Sequence, residues 1–336
     1  MATDRRQQQQ QVTMADVAAH AGVSRALVSI VLRGVPGASP QNRAKVLAAA
    51  AALDYHPDQR ARLLGSRRSR TIGVVYDLHR PFHGEVLEEL YAAVSDGSWR
   101  LAVEPTAPSR PERTAVRALL DQRCEAVLLV GPTTSAAALA ELAARVPVVS
   151  VARAVRRPGV DVVRTDDALG ARLAVEHLVG LGHARIAHAH GGRAPGASER
   201  RAGYRAAVRA AGGGPDLVEG GLGEADGQRA APELLRPGGP TAVLAFNDAC
   251  AAGLLAAVRG RGRSVPGDLS IVGYDDSAVA ALAPVSLTTV GQDSRELARQ
   301  AVQRAVARVE DASLPASETV ISPHLVQRST TAAPRG

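Results

Sequence analysis

The sequence predicts an α/β protein in which a small all-α unit at the N-terminus precedes two lobes, each a doubly wound parallel sheet. Three observations carry that expectation. The chain has 336 residues, more than one compact domain usually holds, and 46% of them are apolar, enough for several cores. Its excess positive charge is confined to one end: residues 1–70 hold eleven Arg/Lys against four Asp/Glu, and the remaining residues hold 29 of each. From Thr71 onward, apolar runs of strand length alternate with helical stretches in two successive series.

The N-terminal unit begins with two short helices over residues 12–32. Thr13 is a natural N-cap and Asp16, three residues on, completes a capping box near the positive end of the helix dipole. Met14, Val17, Ala18 and Ala21 share one face, and Gly22 ends the helix so that Val23 turns inward. Ser24 caps the second helix, where Leu27, Val28, Val31 and Leu32 form the packing stripe and Arg25, Ala26, Ser29 and Ile30 face outward. A third helix starts at Ser39-Pro40 and offers Val46, Leu47, Ala50 and Leu53 to close a three-helix core. Two helices across so tight a glycine turn make a helix-turn-helix, whose second helix enters the major groove of DNA. Basic charge alone would fit a solubilising tail equally well; the motif favours nucleic acid.

These residues resemble the headpiece of the lactose-repressor (LacI/GalR) family of bacterial transcription regulators. The likeness rests on Thr13-Met14-Ala15-Asp16-Val17-Ala18, Ala21-Gly22-Val23-Ser24, Val28-Ser29, Ser39, Arg43, Val46, Leu53, Tyr55, Pro57, Ala61-Arg62 and Leu64, and runs on to Leu325-Val326-Gln327-Arg328-Ser329-Thr330. It implies a headpiece over 12–57 and a hinge helix and linker over 58–70, with Leu64 as a minor-groove wedge that unstacks a base step. The DNA-facing set is then Thr13, Ser24, Arg25, Ala26, Ser29, Ile30, Arg33, Arg62 and Leu64. Leu27, Ile30 and Arg33 depart from the family's usual threonine, arginine or histidine, and asparagine, so a different operator is expected. Arg25 is the side chain of this helix suited to a bidentate contact with guanine. One such motif reads only a few base pairs, so a homodimer on near-palindromic operator DNA is expected.

In the core, strand candidates fall at 72–76, 101–103, 126–130 and 148–151, then at 185–188, 242–246 and 269–274. The resemblance implies a periplasmic-binding-protein-like core: an N-subdomain of 71–165 with 292–320, and a C-subdomain of 166–291 with 321–331. Helix 293–311 returns to the first lobe and the last strand to the second. Ligands of such lobes bind beyond the carboxyl ends of strands. That rule selects Asp77, Phe82-His83, Ala152-Arg153, Asp166-Asp167, His190, Arg200, Asn247-Asp248 and Asp275-Asp276. Asp167, Asp248 and Asp276 fit helix capping better than ligand binding. Arg200, Asn247 and Asp275 match the family's effector-binding arginine, asparagine and aspartate. Leu222 and Ser294 stand where sugar-responsive members carry an aromatic stacker, and Ala152 where an aspartate is frequent. With eight aromatic residues in the chain, Phe82 and then His83 are the remaining stacking candidates. The effector-binding set is thus Asp77, Phe82, His83, Arg200, Asn247 and Asp275.

The function implied is a sequence-specific DNA-binding regulator, a repressor released from its operator by a small-molecule effector, by family a sugar or sugar derivative. A non-sugar effector or a corepressor would fit the same residues. The core alone would suit an exported solute-binding component, and a doubly wound fold would suit an enzyme. Against these stand the helix-turn-helix, an N-terminus without the apolar stretch of a secretory signal, and no nucleophile elbow or HExxH motif. No apolar run approaches the ~20 residues of a membrane helix, and a cytoplasmic protein is expected. Cys124 and Cys250 lack metal-ligand spacing and read as buried thiols, and His188-Ala189-His190 has no partner at ligand spacing. No cofactor or metal is expected.

Overall fold

A computed structural model of the chain describes residues 12–32, 35–55 and 68–335. Arg33, and Arg62 and Leu64 of the expected hinge helix, lie outside the described residues. The chain divides into two units, Met1–Ser69 and Arg70–Gly336.

In the first unit, α1 (Met14–Ala21) opens with the capping box: the Thr13 N–H donates to Asp16 Oδ2 at 2.7 Å, and Thr13 Oγ1 accepts from the Asp16 N–H. Gly22 ends the helix at φ 65°, the left-handed conformation that only glycine adopts without strain. Ser24 Oγ accepts from the Leu27 N–H to start α2 (Arg25–Leu32), and Ser39 caps α3 (Pro40–Ala52). Val17, Ala18, Val28, Val31, Val46, Ala49 and Ala50 close the core between the three helices. Leu47, expected in that core, is 51% exposed and Ala49 takes its place. A helix of small residues offers two candidate faces, and packing against α1 chose the alanine face.

The second unit holds two six-stranded sheets. The first runs β11-β5-β4-β3-β1-β2 and is parallel throughout. Its strands are β1 (Thr71–Asp77), β2 (Arg100–Thr106), β3 (Ala126–Val130), β4 (Val148–Val151), β5 (Val160–Thr165) and β11 (Glu318–Ile321). The second runs β12-β10-β9-β8-β6-β7, parallel except for the antiparallel edge strand β12. It comprises β6 (Ile186–His190), β7 (Asp216–Glu219), β8 (Ala242–Ala245), β9 (Ser270–Asp275), β10 (Thr288–Gly291) and β12 (His324–Val326). Helices cover both faces: α4 (Pro81–Ala93), α5 (Glu112–Asp121), α6 (Ala136–Ala143) and α12 (Ser294–Glu310) on the first sheet. On the second lie α7 (Asp167–Gly180), α8 (Ala197–Ala210), α9 (Glu224–Leu234), α10 (Asp248–Gly260) and the short α11 (Ala278–Ala281).

The chain passes from one sheet to the other three times: between β5 and α7, between β10 and α12, and between β11 and β12. Asp166 and Asp293 sit at the first two passages and cap the helix that follows, accepting from the Leu169 and Glu296 N–H groups. Helix α12 thereby returns to the first lobe, where Leu297, Ala298, Ala301, Val302 and Ala305 pack on Val86, Leu90 and Trp99. Burying a Leu or Val of that stripe contributes about 1.5–3 kcal/mol each. The buried Asp161 of β5 anchors the same helix by accepting from Arg304 Nε at 2.6 Å and from the Ser317 N–H at 2.8 Å.

The sequence pattern does not mark strands β5, β7, β10 and β11, because polar residues interrupt their apolar runs. Asp161 and Arg164 in β5 and Glu318 in β11 serve tertiary pairing: Arg164 binds Glu318 across the two strands at 2.5 Å. Both cysteines are free and buried, and burial pushes their thiols up, to about 11 for Cys124 and about 12 for Cys250. Helices α7 and α8 approach so closely at Gly203 that a Cβ there would run into the Ala168 carbonyl. Gly203→Ala is expected to destabilise the protein by about 1–3 kcal/mol, since backbone cannot yield as a side chain can. Urea unfolding of the variant with a midpoint equal to wild type would show that the helices separate without cost.

Candidate functional site

Of the predicted DNA-facing residues that are described, Thr13, Ser24, Arg25 and Ala26 are exposed, and Ser29 and Ile30 are half-buried. Ile30 lies against Gly37 in the loop before α3, which draws it partly away from the outer face. The helix-turn-helix therefore presents Arg25 as its exposed cation at the start of α2.

In the second unit, strands of both sheets end on one cleft of about 760 Å³, its open mouth included. All six predicted residues line it: Asp77 at the end of β1, Phe82 and His83 on the first turn of α4, Arg200 on α8, Asn247 after β8 and Asp275 at the end of β9. The geometry follows from parallel sheets, whose carboxyl ends leave crevices where strand order reverses, here between β1 and β3 and between β6 and β8.

Arg200 is the centre of the second-lobe wall. It is 6% exposed; its Nε donates to Asp167 Oδ1 at 2.8 Å and its Nη1 to the Phe246 carbonyl at 2.6 Å, and Nη2 lies 3.7 Å from Asp275 Oδ1. Its guanidinium stacks 3.5 Å from the Tyr274 ring centre and 4.7 Å from that of Phe246. Burial opposes the charge, but Asp167, Tyr274 and Asp275 outweigh it and hold Arg200 firmly protonated. Burial raises Asp275 to about 6 against the pull of Arg200 and of the Gln292 amide, whose Nε2 donates to Oδ1 at 2.8 Å.

On the first-lobe wall, His83 Nδ1 accepts from the Asp77 N–H at 3.1 Å, which places the imidazole proton on Nε2, beside Gly131. Burial first, and then Arg80, lowers His83 to about 4 despite Asp77, so the ring is a neutral donor. The Asp77 carboxylate accepts from the His79 N–H at 2.9 Å and lies 3.5 Å from Arg80 Nε. Phe82 lines the cleft but is packed into the first-lobe core, so little of its face is left for stacking.

Four expectations change here. Asp167 is not a cap; Asp166 is, and Asp167 is the buried counter-ion of Arg200. Asp248 does not cap α10 either. Asn247 does, with Oδ1 accepting from the Cys250 N–H while Nδ2 donates to the Leu222 carbonyl, so one Nδ2 hydrogen remains for the cleft. Asp248 instead accepts from the Ser277 N–H and Thr289 Oγ1, and Asp276 pairs with Arg328 at 2.7 Å. Arg153 is no cleft cation: its Nη1 donates to the Pro132 and Thr134 carbonyls. Tyr76, Phe246 and Gln292 line the cleft without having been selected. Phe246 belongs to the apolar run 242–246, whereas the strand itself ends at Ala245, so the strand-end rule chose its neighbour Asn247 and passed over it.

Comparison with known proteins agrees with both units. The description "Bacterial regulatory proteins, lacI family" matches residues 13–58, and "Periplasmic binding protein-like domain" matches residues 175–331. The HTH-type transcriptional regulator GalR of Escherichia coli (strain K12) is 34% identical over 338 residues, covering 96% of each chain. The chain belongs to the lacI family of bacterial regulatory proteins. Solved structures span nearly all of this lacI-family chain. The lac repressor dimer bound to operator and the anti-inducer ONPF is 30% identical, with a TM-score of 0.82, over 96% of this chain and 100% of the other. The transcriptional regulator CelR–cellobiose complex is 30% identical, with a TM-score of 0.70, over 95% and 99%. The lacI-family fold read from the sequence is therefore the fold present, and the protein is a helix-turn-helix transcriptional regulator rather than an enzyme. Among the described residues no single helix is long and apolar enough to cross a membrane.

Proposed function

We propose that this lacI-family regulator is a cytoplasmic, homodimeric repressor whose hold on operator DNA is set by a small polyhydroxylated effector, a sugar or sugar derivative, in the interlobe cleft. The observation that carries this reading is Arg200, a buried cation fixed between Asp167 and Asp275 on the cleft wall. Around it stand neutral donors and acceptors at His83, Asn247 and Gln292, a set that pairs with hydroxyls through charge-assisted and neutral hydrogen bonds. The cellobiose held by CelR and the anti-inducer and operator held by the lac repressor dimer support the same assignment by similarity. Asp77, Phe82, His83, Arg200, Asn247 and Asp275 form the effector set. The DNA-binding set in this reading is Thr13, Ser24, Arg25, Ala26, Ser29, Ile30, Arg33, Arg62 and Leu64, with Leu64 as the minor-groove wedge. The domain limits stay at 12–57, 58–70, 71–165 with 292–320, and 166–291 with 321–331.

Selection of bound genomic fragments by the full-length protein, followed by titration with a panel of mono- and disaccharides including cellobiose, tests this function. The selected sites are expected to be near-palindromic, because two headpieces read two half-sites. Affinity should fall steeply with salt, log K dropping by about 0.9 per phosphate neutralised for each log unit of salt. Full-affinity binding of a monomer to one half-site refutes the dimeric reading, and operator affinity indifferent to every sugar refutes the effector class.

A further inference from the structure

A hydrogen bond joins the two lobes beside the effector set, from a residue that is not part of that set. Glu85 lies on α4, two residues beyond His83, and its Oε1 accepts the N–H of Ala278 at 2.8 Å. Ala278 is the first residue of α11, in the second lobe, and is exposed. The amide before it, that of Ser277, donates to Asp248 Oδ2 at 2.7 Å. Consecutive amides of one loop thus take a carboxylate from each lobe. The loop leads straight back to the cleft, because it begins at Asp275. Asp275 and Asp276 both have positive φ, 114° and 57°, a conformation that non-glycine residues hold only when their surroundings fix it. Gln292 and Arg200 hold the first of them and Arg328 the second.

We propose that Glu85 is an interlobe latch: its carboxylate, closed on the Ala278 amide, holds the first lobe against the second, and the strained loop 275–278 ties that latch to Asp275. The latch needs no ligand and stands whether or not the cleft takes a sugar. Asp276, Glu88 and Asp275 are the carboxylates near Glu85; burial, and then Asp276 and Glu88, raise its carboxyl above the ordinary range while the Ala278 amide opposes the rise. A single hydrogen bond to an exposed amide is a contact of limited strength, suited to opening when the loop is pulled.

Amide hydrogen exchange of the full-length protein, without ligand, tests it at the bond itself. In wild type the Ala278 amide is expected to be protected despite its exposure. Glu85→Ala should raise its exchange at least tenfold while Ser277, bonded within its own lobe, stays protected. Glu85→Gln should keep most of the protection, since the amide oxygen still accepts, and Glu88→Gln should leave it unchanged. Solution scattering of Glu85→Ala should give a larger radius of gyration than wild type, as the lobes part. An Ala278 amide that exchanges equally fast in wild type and Glu85→Ala overturns the latch. So does a Glu85→Ala protein with the wild-type radius of gyration.

Discussion

Arg200→Ala is expected to lower stability by about 3–5 kcal/mol and to leave the protein blind to its effector. The stability loss comes from what remains. Asp167 and Asp275 are buried beside the Arg200 guanidinium, and without it two carboxylates face each other across an apolar gap lined by Phe246 and Tyr274. For a unit of this size, a loss in that range corresponds to a melting temperature lower by roughly 10 °C. Arg200→Lys should recover little, because one ammonium cannot serve Asp167, the Phe246 carbonyl and Asp275 in their separate directions. A defect this large would confound any titration, so the companion variant is Asp275→Asn. Asparagine tolerates positive φ, can still accept from Gln292 Nε2, and removes a carboxyl that the fold already holds protonated up to about pH 6. Asp275→Asn is expected to melt at or above the wild-type temperature and to bind effector at least tenfold more weakly, about 1.4 kcal/mol, because a neutral amide replaces a charged acceptor. Calorimetric titration of the folded variant decides the role of the residue. Wild-type affinity in Asp275→Asn would show that the carboxylate belongs to the fold and not to the effector.

The contrast between Asp166 and Asp167 shows where sequence reading succeeds and where it stops. A cap is a local device: Thr13 with Asp16 and Ser39 with Asn42 are spaced by the helix itself, so spacing reveals them. Asp166 and Asp167 are adjacent and identical in type, and what separates them is Arg200, 33 residues away and brought near by the packing of α7 on α8. Strand ends were legible because apolar runs mark parallel strands and the ends of such strands make the cleft. That is why all six predicted residues reached one site. Partners within it were not legible. Gln292 reaches the cleft because the chain changes lobes there, and Phe246 because Arg200 rests on its ring. Likewise Leu47 and Ala49 share a helix, and their burial was settled by the neighbouring helix alone.

Replacing His188 is expected to change the acid response of the fold more than replacing any other of the described histidines. The ring is 0% exposed in the middle of β6; its Nδ1 lies 2.9 Å from the Leu244 carbonyl, and Nε2 has no hydrogen-bond partner among the described residues. The proton therefore sits on Nδ1, and a second one would place an unpaired charge beside Tyr204, with His190, Arg200 and Arg201 repelling it. Burial first, and then those charges, lowers His188 to about 3 although the Leu244 carbonyl favours the cation. Because the folded value lies below that of the unfolded chain, the unfolded state binds more protons as pH falls. The stability contributed by the neutral ring is complete above about pH 6.5 and is lost as pH falls toward 3. At pH 4 the loss is about 3 kcal/mol. His83, lowered to about 4, acts in the same direction, whereas Asp275 and Asp248, raised by burial to about 6 and about 8, act in the opposite one by taking up protons in the folded state. The wild-type curve blends these slopes, so the difference between variant and wild type isolates the ring. His188→Leu removes the titrating group, keeps an apolar side chain in the core and loses the hydrogen bond to the Leu244 carbonyl, a cost of about 0.5–1.5 kcal/mol that does not depend on pH. Urea melts from pH 7 to pH 4 should therefore show the variant gaining about 3 kcal/mol relative to wild type on acidification. Parallel stability curves for the two proteins would mean that His188 takes up its proton without leaving the folded core.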